Sequence, residues 1–204
     1  MTYFYPNRMG RIILTALSEV VEPDAAQAVI TEAGLPQFLE QFPLNDLELA
    51  FPFEYVSQLQ AASENVFGVE EGRAINRKVG RRCLTTGLQQ FNPLLGIADL
   101  PARLMPLGLK MNIGFDMFAM VFNRFTDQVV RLGDDSQGYL WIIDRCPVCW
   151  GRTTDYPCCD LAVGILEEAI IWATGGRVFE VEQISCVAMG HEDCTIRIGK
   201  RPIR

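Results

Sequence analysis

Residues 146–194 read CPVCWGRTTDYPCCDLAVGILEEAIIWATGGRVFEVEQISCVAMGHEDC, and they contain six of the seven cysteines and the only histidine of the chain. In a reducing compartment, cysteines gathered in this way serve metal or redox chemistry more often than disulfides. The stretch therefore predicts a metal-braced site. The simpler alternative is that the thiols are small, inert core residues.

The end of this stretch has the pattern of a β-hairpin. Apolar and β-branched residues precede Cys186 and follow Cys194, and Gly190 lies midway between them, where a hairpin would turn. Directly paired strand residues have Cα atoms about 4.5–5.5 Å apart, so we expect the two sulfurs opposite each other. They could share a metal ion or form a disulfide. His191 is expected to be a polar residue of the turn.

Cys158 and Cys159 stand at the start of a predicted helix. Pro157 suits the first turn of a helix, Asp155 is a candidate cap, and an apolar run continues as far as Gly175. The partial positive charge at a helix N-terminus favours thiolate over thiol. Thiolate is the form that a metal ion binds.

Three thiols and one carboxylate make a candidate closed zinc site. These candidate ligands are Cys159, Glu182, Cys186 and Cys194. Glu182 and Cys186 would be about 13 Å apart in an extended strand at roughly 3.3 Å per residue, too far for two ligands of one ion. We therefore expect the chain to bend near residues 184–185. Otherwise Gln183, His191 or a water replaces Glu182.

A second pair, Cys146 and Cys149, forms the motif CPVC. Such a pair can be a redox couple, half of a zinc site or part of an iron–sulfur site. A thioredoxin-type pair lies between a strand and a helix, but here the helix is predicted to start only near Cys158. Cys146 and Cys149 could also join Cys158 in a second metal site, for which no fourth ligand is evident.

Composition restricts the class of protein. The chain has 204 residues, 49% of them hydrophobic, and a net charge of −7. The negative charge argues against a general nucleic-acid-binding protein. The sequence has no apolar run of about eighteen residues that would span a membrane, and its first residues lack a signal-peptide pattern. We expect a cytoplasmic protein.

The pattern along the chain predicts an α/β (α+β) fold in one domain, residues 1–204. Helices are predicted over residues 7–19, from Pro23 and over residues 70–91, after a short N-terminal arm. Arginines recur at three- and four-residue steps in the long helix and are interpreted as a solvated face. The second half reads β-β-α-β-β, and its hairpins imply an antiparallel sheet on which the helical N-terminal half packs.

An aromatic stripe precedes this second half. Phe118 and Phe122 belong to a run of phenylalanines at helical spacing, which is typical of core but also suits the wall of an apolar pocket. Together with Trp141, they are the candidate ligand-binding residues. No catalytic residue is assigned, because the single histidine lies in a predicted turn and no phosphate or dinucleotide motif follows a strand.

Residues 178–198, VFEVEQISCVAMGHEDCTIRI, resemble the C-terminal signature of the 4-vinyl reductase domain family. This family is similar to the aromatic-hydrocarbon sensor domains of bacterial transcription activators and, more distantly, to trafficking-complex subunits. The sensor motif has its Glu three residues before the Cys, where this chain has Gln183. The CPVCWGR motif is similar to a cyanobacterial or phototroph branch.

The resemblance implies a zinc ion near a small-molecule pocket, in a domain that is often dimeric. The sensor ligands carried over to this chain are Cys159, Glu182, Cys186 and Cys194. The family further implies binding or carriage of a tetrapyrrole in (bacterio)chlorophyll metabolism, or assembly of pigment–protein complexes, with peripheral membrane or photosystem contact. The alternatives are a reductase or thiol-redox enzyme that uses Cys146 and Cys149, and a scaffold subunit without ligand. Because no nicotinamide or flavin motif is visible, binding is favoured over catalysis.

Overall fold

The structure is a computed structural model that describes residues 1–95 and 106–204. The described residues form seven α-helices and six β-strands. In chain order these are β1 (Phe4–Pro6), α1 (Asn7–Val20), α2 (Pro23–Glu32), α3 (Gln37–Glu40), β2 (Leu49–Pro52), α4 (Phe53–Phe67), α5 (Val69–Leu95), α6 (Leu107–Phe125), β3 (Val130–Asp134), β4 (Gly138–Ile143), α7 (Asp160–Thr174), β5 (Phe179–Gln183) and β6 (Cys194–Pro202).

The α+β prediction is confirmed. The helical half comes first, and β3 to β6 form an antiparallel sheet in the order β3-β4-β6-β5. Strand β4 pairs with β6 so that Ile143 lies opposite Cys194 and Trp141 lies opposite Ile196. This register places the first residue of β6 beside the end of β4, where the CPVC segment begins.

The N-terminal arm contains a strand that the sequence pattern did not indicate. β1 pairs with β2 in a separate two-stranded antiparallel sheet. Prolines then start the neighbouring helices: Pro6 stands just before α1, and Pro52 just before α4. Proline is well suited to these positions because it lacks the N–H that a helix start leaves unpaired.

Helices α5 and α7 pack backbone to backbone. A methyl group added at Gly164 would collide with the carbonyl oxygen of Arg77, and one added at Gly80 would collide with that of Leu161. Only residues without a side chain permit so close an approach, since protein interiors leave no room for an extra carbon. This contact fixes α7, whose N-terminus carries two of the cysteines.

The basic face of α5 is only in part the solvated surface that the sequence suggested: Lys78, Arg81 and Arg82 are exposed, but one side of the face meets acidic residues of α7. Arg77 Nε donates to Glu167 at 3.0 Å, and Arg81 Nε donates to the same carboxylate at 2.8 Å. Arg73 Nε reaches Asp160 at 2.8 Å, so this side of the face is paired with acids on α7. The sequence did not indicate this pairing because the charges on α5 alone do not show which helix lies against it.

One hydrophobic core includes residues from both halves of the chain, from Tyr5 to Ile198. All six clustered cysteines belong to this core. Within the described ranges, none of the helices has the length and hydropathy that a membrane span requires.

Candidate metal centre and apolar cavity

The segment that follows β4, residues 144–157, is here called the cysteine loop. Polar contacts to α4 hold it in place. Glu64 forms a buried ion pair with Arg152 and accepts a hydrogen bond from the Tyr156 hydroxyl at 2.8 Å, while Trp150 Nε1 donates to Glu54 at 3.2 Å. A loop fixed by a buried ion pair and two further hydrogen bonds presents its thiols in a defined arrangement.

Four sulfurs form a compact group in the core. Cys146, Cys149, Cys159 and Cys194 have Sγ atoms that all lie within 4.8 Å of one another. Individual separations are 3.6 Å from Cys146 to Cys159, 3.4 Å from Cys149 to Cys194, and 3.8 Å from Cys159 to Cys194. We call these residues the four-thiol group. The cysteine loop, the N-terminus of α7 and the start of β6 contribute to it.

The spacing of the four-thiol group suits one tetrahedral metal ion. At a Zn–S bond of about 2.3 Å, two sulfurs of a regular tetrahedron are about 3.8 Å apart. Four buried thiols without a disulfide among them are also the donor set of a structural zinc site. The residues therefore fit a thiophilic ion such as zinc, held by a set different from the one carried over from the sensor motif.

Two further cysteines adjoin the four-thiol group. Cys186 Sγ lies 3.9 Å from Cys159 Sγ and 4.0 Å from Cys158 Sγ. The structure therefore brings Cys159, Cys186 and Cys194 together, as the sequence predicted. It unites them with Cys146, Cys149 and Cys158 in one cluster, where the sequence suggested a separate second site.

Glu182 differs from its predicted place. It is exposed on β5, where its Cα lies opposite that of Arg197, and it is not one of the groups that approach the thiols. Glu182 faces solvent because successive side chains of a strand face opposite sides of the sheet, and the preceding residue, Val181, faces the core. Gln183 lies at the cluster instead: its Oε1 accepts from the Cys159 backbone N–H at 2.9 Å.

The predicted bend after β5 is present, but Cys186 and Cys194 are not a cross-strand pair. β5 ends at Gln183, and a 3₁₀ turn, Val187–Met189, precedes Gly190 at φ 90°. His191 lies in the turn as expected, and its Nδ1 accepts the Cys186 backbone N–H at 3.0 Å. The Val187 backbone N–H points to Cys194 Sγ at 3.2 Å, a contact that favours thiolate.

Hydrogen bonds among the thiols shift their ionisation. Hydrogen bonds from neighbouring thiols, Cys149 first, lower the pKa of Cys146 and of Cys186, while those from neighbouring thiols, Cys146 first, raise the pKa of Cys149, Cys159 and Cys194. The thiols therefore share their protons unevenly, and a metal ion, which binds cysteine as thiolate, would displace the protons that remain.

A cavity of about 810 Å³ lies beside the cluster, within the size range of small-molecule sites. Its lining is mainly apolar. Phe118, Phe122 and Trp141, the predicted ligand-binding residues, lie together on its wall, with ring centroids 5.4 Å apart for Phe118 and Trp141 and 6.0 Å for Phe122 and Trp141. The sequence pattern did not indicate that α1, α5 and α7 would supply the other walls.

The cavity and the thiol cluster share parts of the chain. Val148, between the two cysteines of CPVC, lines the cavity, and so do Leu161 and Ala162, which directly follow the cysteine pair at the start of α7. The position of these walls therefore depends on the same segments that hold the sulfurs.

Taken together, the elements define an α+β domain with a buried cysteine cluster beside an apolar cavity. Residues 141–200 match the family model of the 4-vinyl reductase domain. The matched part runs through β4, the cysteine loop, α7, β5 and β6. The resemblance to this type of domain is thereby confirmed for this part of the chain. No curated protein matches the sequence.

Solved structures similar to the chain include H-NOX proteins. The Fe(II) unliganded H-NOX protein from K. algicida is 10% identical, with a TM-score of 0.57 and coverage of 96% of each chain. A Cs H-NOX mutant carrying 4-cyano-L-phenylalanine is 15% identical, with a TM-score of 0.55 over 97% of this chain and 98% of its own. An oxygen-binding H-NOX domain related to soluble guanylate cyclases is 15% identical, with a TM-score of 0.51 over 95% and 94%. At these identities the likeness shows the fold alone.

Proposed function

We propose that this protein binds a hydrophobic ring molecule, such as a tetrapyrrole, in the cavity, and that a zinc ion held by cysteine thiolates braces the cavity wall. The proposal is based mainly on one observation: the CPVC segment contributes both to the cavity wall and to the four-thiol group. Val148 lines the cavity while its neighbours in the CPVC motif belong to the four-thiol group. An ion there would tie the cysteine loop to α7 and β6, three elements that meet beside the cavity.

The size and lining of the cavity support a ring-shaped, mainly apolar ligand. Stacked aromatic side chains favour flat ring systems, and burial of apolar area contributes about 25 cal/mol per Å². Solved structures of similar fold include one described as probing the function of haem distortion in the H-NOX family. A fold of this kind is therefore compatible with a tetrapyrrole ligand.

A haem in this cavity would have no histidine ligand from the described residues. Protein haem iron is held by His, Cys, Met or Tyr; His191 does not line the cavity, whereas Met9, Met111 and Met117 do. Burial raises the pKa of the Cys83 thiol and of the Tyr5 hydroxyl, which both line it. These groups are therefore kept neutral, and the Tyr5 hydroxyl donates a hydrogen bond to Gln128 Oε1.

A thiol-redox enzyme is less well supported. Cys146 and Cys149 are only 3% and 2% exposed, whereas a thiol pair that exchanges with substrates must be accessible. Each is also close to a cysteine outside the CPVC motif. Binding therefore remains the better proposal. A homodimer, a cytoplasmic location, one domain over residues 1–204 and a place in pigment metabolism stay predictions from the sequence.

The binding proposal is tested by filling the cavity. Ala169 of α7 lines it, so Ala169→Phe should lower the affinity for protoporphyrin IX at least tenfold, measured by quenching of tryptophan fluorescence. Ala28→Phe, at an exposed position of α2, adds the same ring outside the cavity and should leave the affinity unchanged. Equal affinity in both variants, or no saturable binding by the wild type, would rule out the cavity as a porphyrin site.

A further inference from the structure

We propose that the six clustered cysteines hold two metal ions, with Cys159 and Cys194 as thiolates that bridge them. The ions would be divalent and thiophilic, such as zinc. Cys146 and Cys149 would complete the first site, and Cys158 and Cys186 the second. This inference rests on the proposed metal brace, in which the four-thiol group holds one ion. It adds a second ion beside the first.

The first tetrahedron is complete in the structure. The Sγ atoms of Cys146, Cys149, Cys159 and Cys194 all lie within 4.8 Å of one another, with Cys146 3.6 Å from Cys159 and Cys149 3.4 Å from Cys194. The edge from Cys159 to Cys194 is 3.8 Å. All six edges expected for one four-coordinate ion are therefore present.

A second tetrahedron shares that last edge. Cys186 Sγ lies 4.0 Å from Cys158 and 3.9 Å from Cys159, close to the roughly 3.8 Å edge of a zinc–thiolate tetrahedron. These separations link Cys158 through Cys186 to Cys159, and Cys194, whose Sγ is 3.8 Å from that of Cys159, would complete the second tetrahedron.

Charge balance does not oppose the second ion. Four thiolates around one divalent ion leave a net charge of minus two, and six thiolates around two such ions leave the same charge. Arg152 provides a nearby cation: it interacts electrostatically with Cys158, and its buried Nη1 has no hydrogen-bond partner among the described residues. A buried, partly unsatisfied guanidinium is stabilised by an anionic neighbour.

The alternatives explain less of the arrangement. A single ion leaves Cys158 and Cys186 as inert thiols, although both are buried and Cys186 Sγ lies 3.9 Å from that of Cys159. An iron–sulfur cluster places inorganic sulfide between the thiolates. That would require the four sulfurs, all within 4.8 Å of one another, to move apart.

Metal content tests the inference. The full chain, purified under reducing conditions, supplied with zinc and then desalted, should contain two zinc ions per chain by plasma mass spectrometry. The double variant Cys158→Ser, Cys186→Ser should contain one. Cys83→Ser, which removes the cysteine outside the cluster, should keep two. Circular dichroism checks that each variant is folded.

The outcomes separate the two proposals. One ion in the wild type would overturn the second site and leave the brace intact, whereas no ion would overturn both. Two ions in the folded double variant, or iron with acid-labile sulfide in the wild type, would also overturn the assignment.

If the double variant does not fold, cobalt(II) titration of the wild type decides. Bridging thiolates should lower the magnetic moment per cobalt between the first and second equivalents, and an unchanged moment would overturn the bridge.

Discussion

At the scale of single residues, one position in β5 decides which side chain meets the cysteines. Successive strand residues face opposite sides of a sheet. Val181 faces the core, so Glu182 faces solvent, and Gln183 turns inward as the strand ends. The amide of Gln183 bridges the Cys159 N–H and the Ser185 carbonyl oxygen, each at 2.9 Å. A neutral amide can stabilise both ends of the bend without adding charge beside the thiolates.

Substitution of Glu182 tests this interpretation. Because the carboxylate is exposed and absent from the groups around the thiols, Glu182→Gln should leave the zinc content of the protein unchanged. The free energy of unfolding should change by less than about 0.5 kcal/mol, as is usual for an exposed site. Cys194→Ser is the contrasting variant and should lower the zinc content. Loss of zinc from Glu182→Gln would instead identify this carboxylate as a ligand.

At the scale of elements, the close contact between helices α5 and α7, here called the seam, determines where the cysteines lie. The two helices approach through Gly80 and Gly164, and the arginines of α5 pair with acids of α7. The sequence has glycines within both helices and arginines that recur along α5. Both features are explained by the packing of α5 against α7, which the sequence of either helix alone does not show.

Gly164→Ala should disrupt the seam. The added methyl group overlaps the Arg77 carbonyl oxygen, and rigid backbone on both sides can relieve the overlap only by separating the helices. We expect the free energy of unfolding to fall by about 1–3 kcal/mol or more, the usual cost of overpacking. Gly114→Ala in α6 adds the same methyl group in open space and should raise it by up to about 1 kcal/mol through helix propensity. Denaturant unfolding measures both, and equal effects would contradict the close contact.

The ion pairs of the seam predict a dependence on pH. Burial raises the pKa of Glu167, but hydrogen bonds from Arg77 and Arg81 outweigh it and leave the pKa below its ordinary value. The pairs therefore stabilise the fold above the ordinary glutamate pKa of about 4.3, and this contribution is lost as the pH falls through the folded-state pKa.

Glu167→Gln is the corresponding variant. At pH 7 it should lose about 1–2 kcal/mol of unfolding free energy, between the values for exposed and buried pairs, and the loss should shrink below about pH 4. Glu71→Gln breaks a mostly exposed pair with Lys78 and should cost less than about 0.5 kcal/mol at either pH. A loss for Glu167→Gln that does not depend on pH would show that the carboxylate acts through packing rather than charge.

At the scale of the whole molecule, the cysteine cluster joins segments that are far apart in the chain. It contains thiols from the cysteine loop, the start of α7, the turn after β5 and the start of β6. A metal ion bound only by the folded arrangement stabilises that arrangement by its binding free energy. Both the fold and the neighbouring cavity should therefore depend on the metal.

Removal of the metal tests this dependence. Incubation with a strong chelator under reducing conditions should lower the melting temperature by at least ~5 °C, since loss of a site a thousandfold saturated costs about 4 kcal/mol. It should also weaken protoporphyrin IX binding, and added zinc should restore both. The variant Cys159→Ser, Cys194→Ser, which lacks both thiols shared by the two proposed sites, should respond little to the chelator. An unchanged melting temperature in the wild type would contradict the brace.

Local patterns in the chain were sufficient to predict the class of fold, the late helix and final strands, and the aromatic wall formed by Phe118, Phe122 and Trp141. They also predicted that three thiols, those of Cys159, Cys186 and Cys194, come together. Periodicity and turn residues act over short distances, so a short segment reports them directly. The same cysteine pattern led to the prediction of a metal ion, which stays a prediction.

Three other features became apparent only in the folded chain: CPVC belongs to the same cluster, Glu182 faces solvent, and the arginines of α5 pair with α7. These features depend on which distant segments meet. Strand register and helix packing set that relation, and neither is contained in the spacing of residues along one segment.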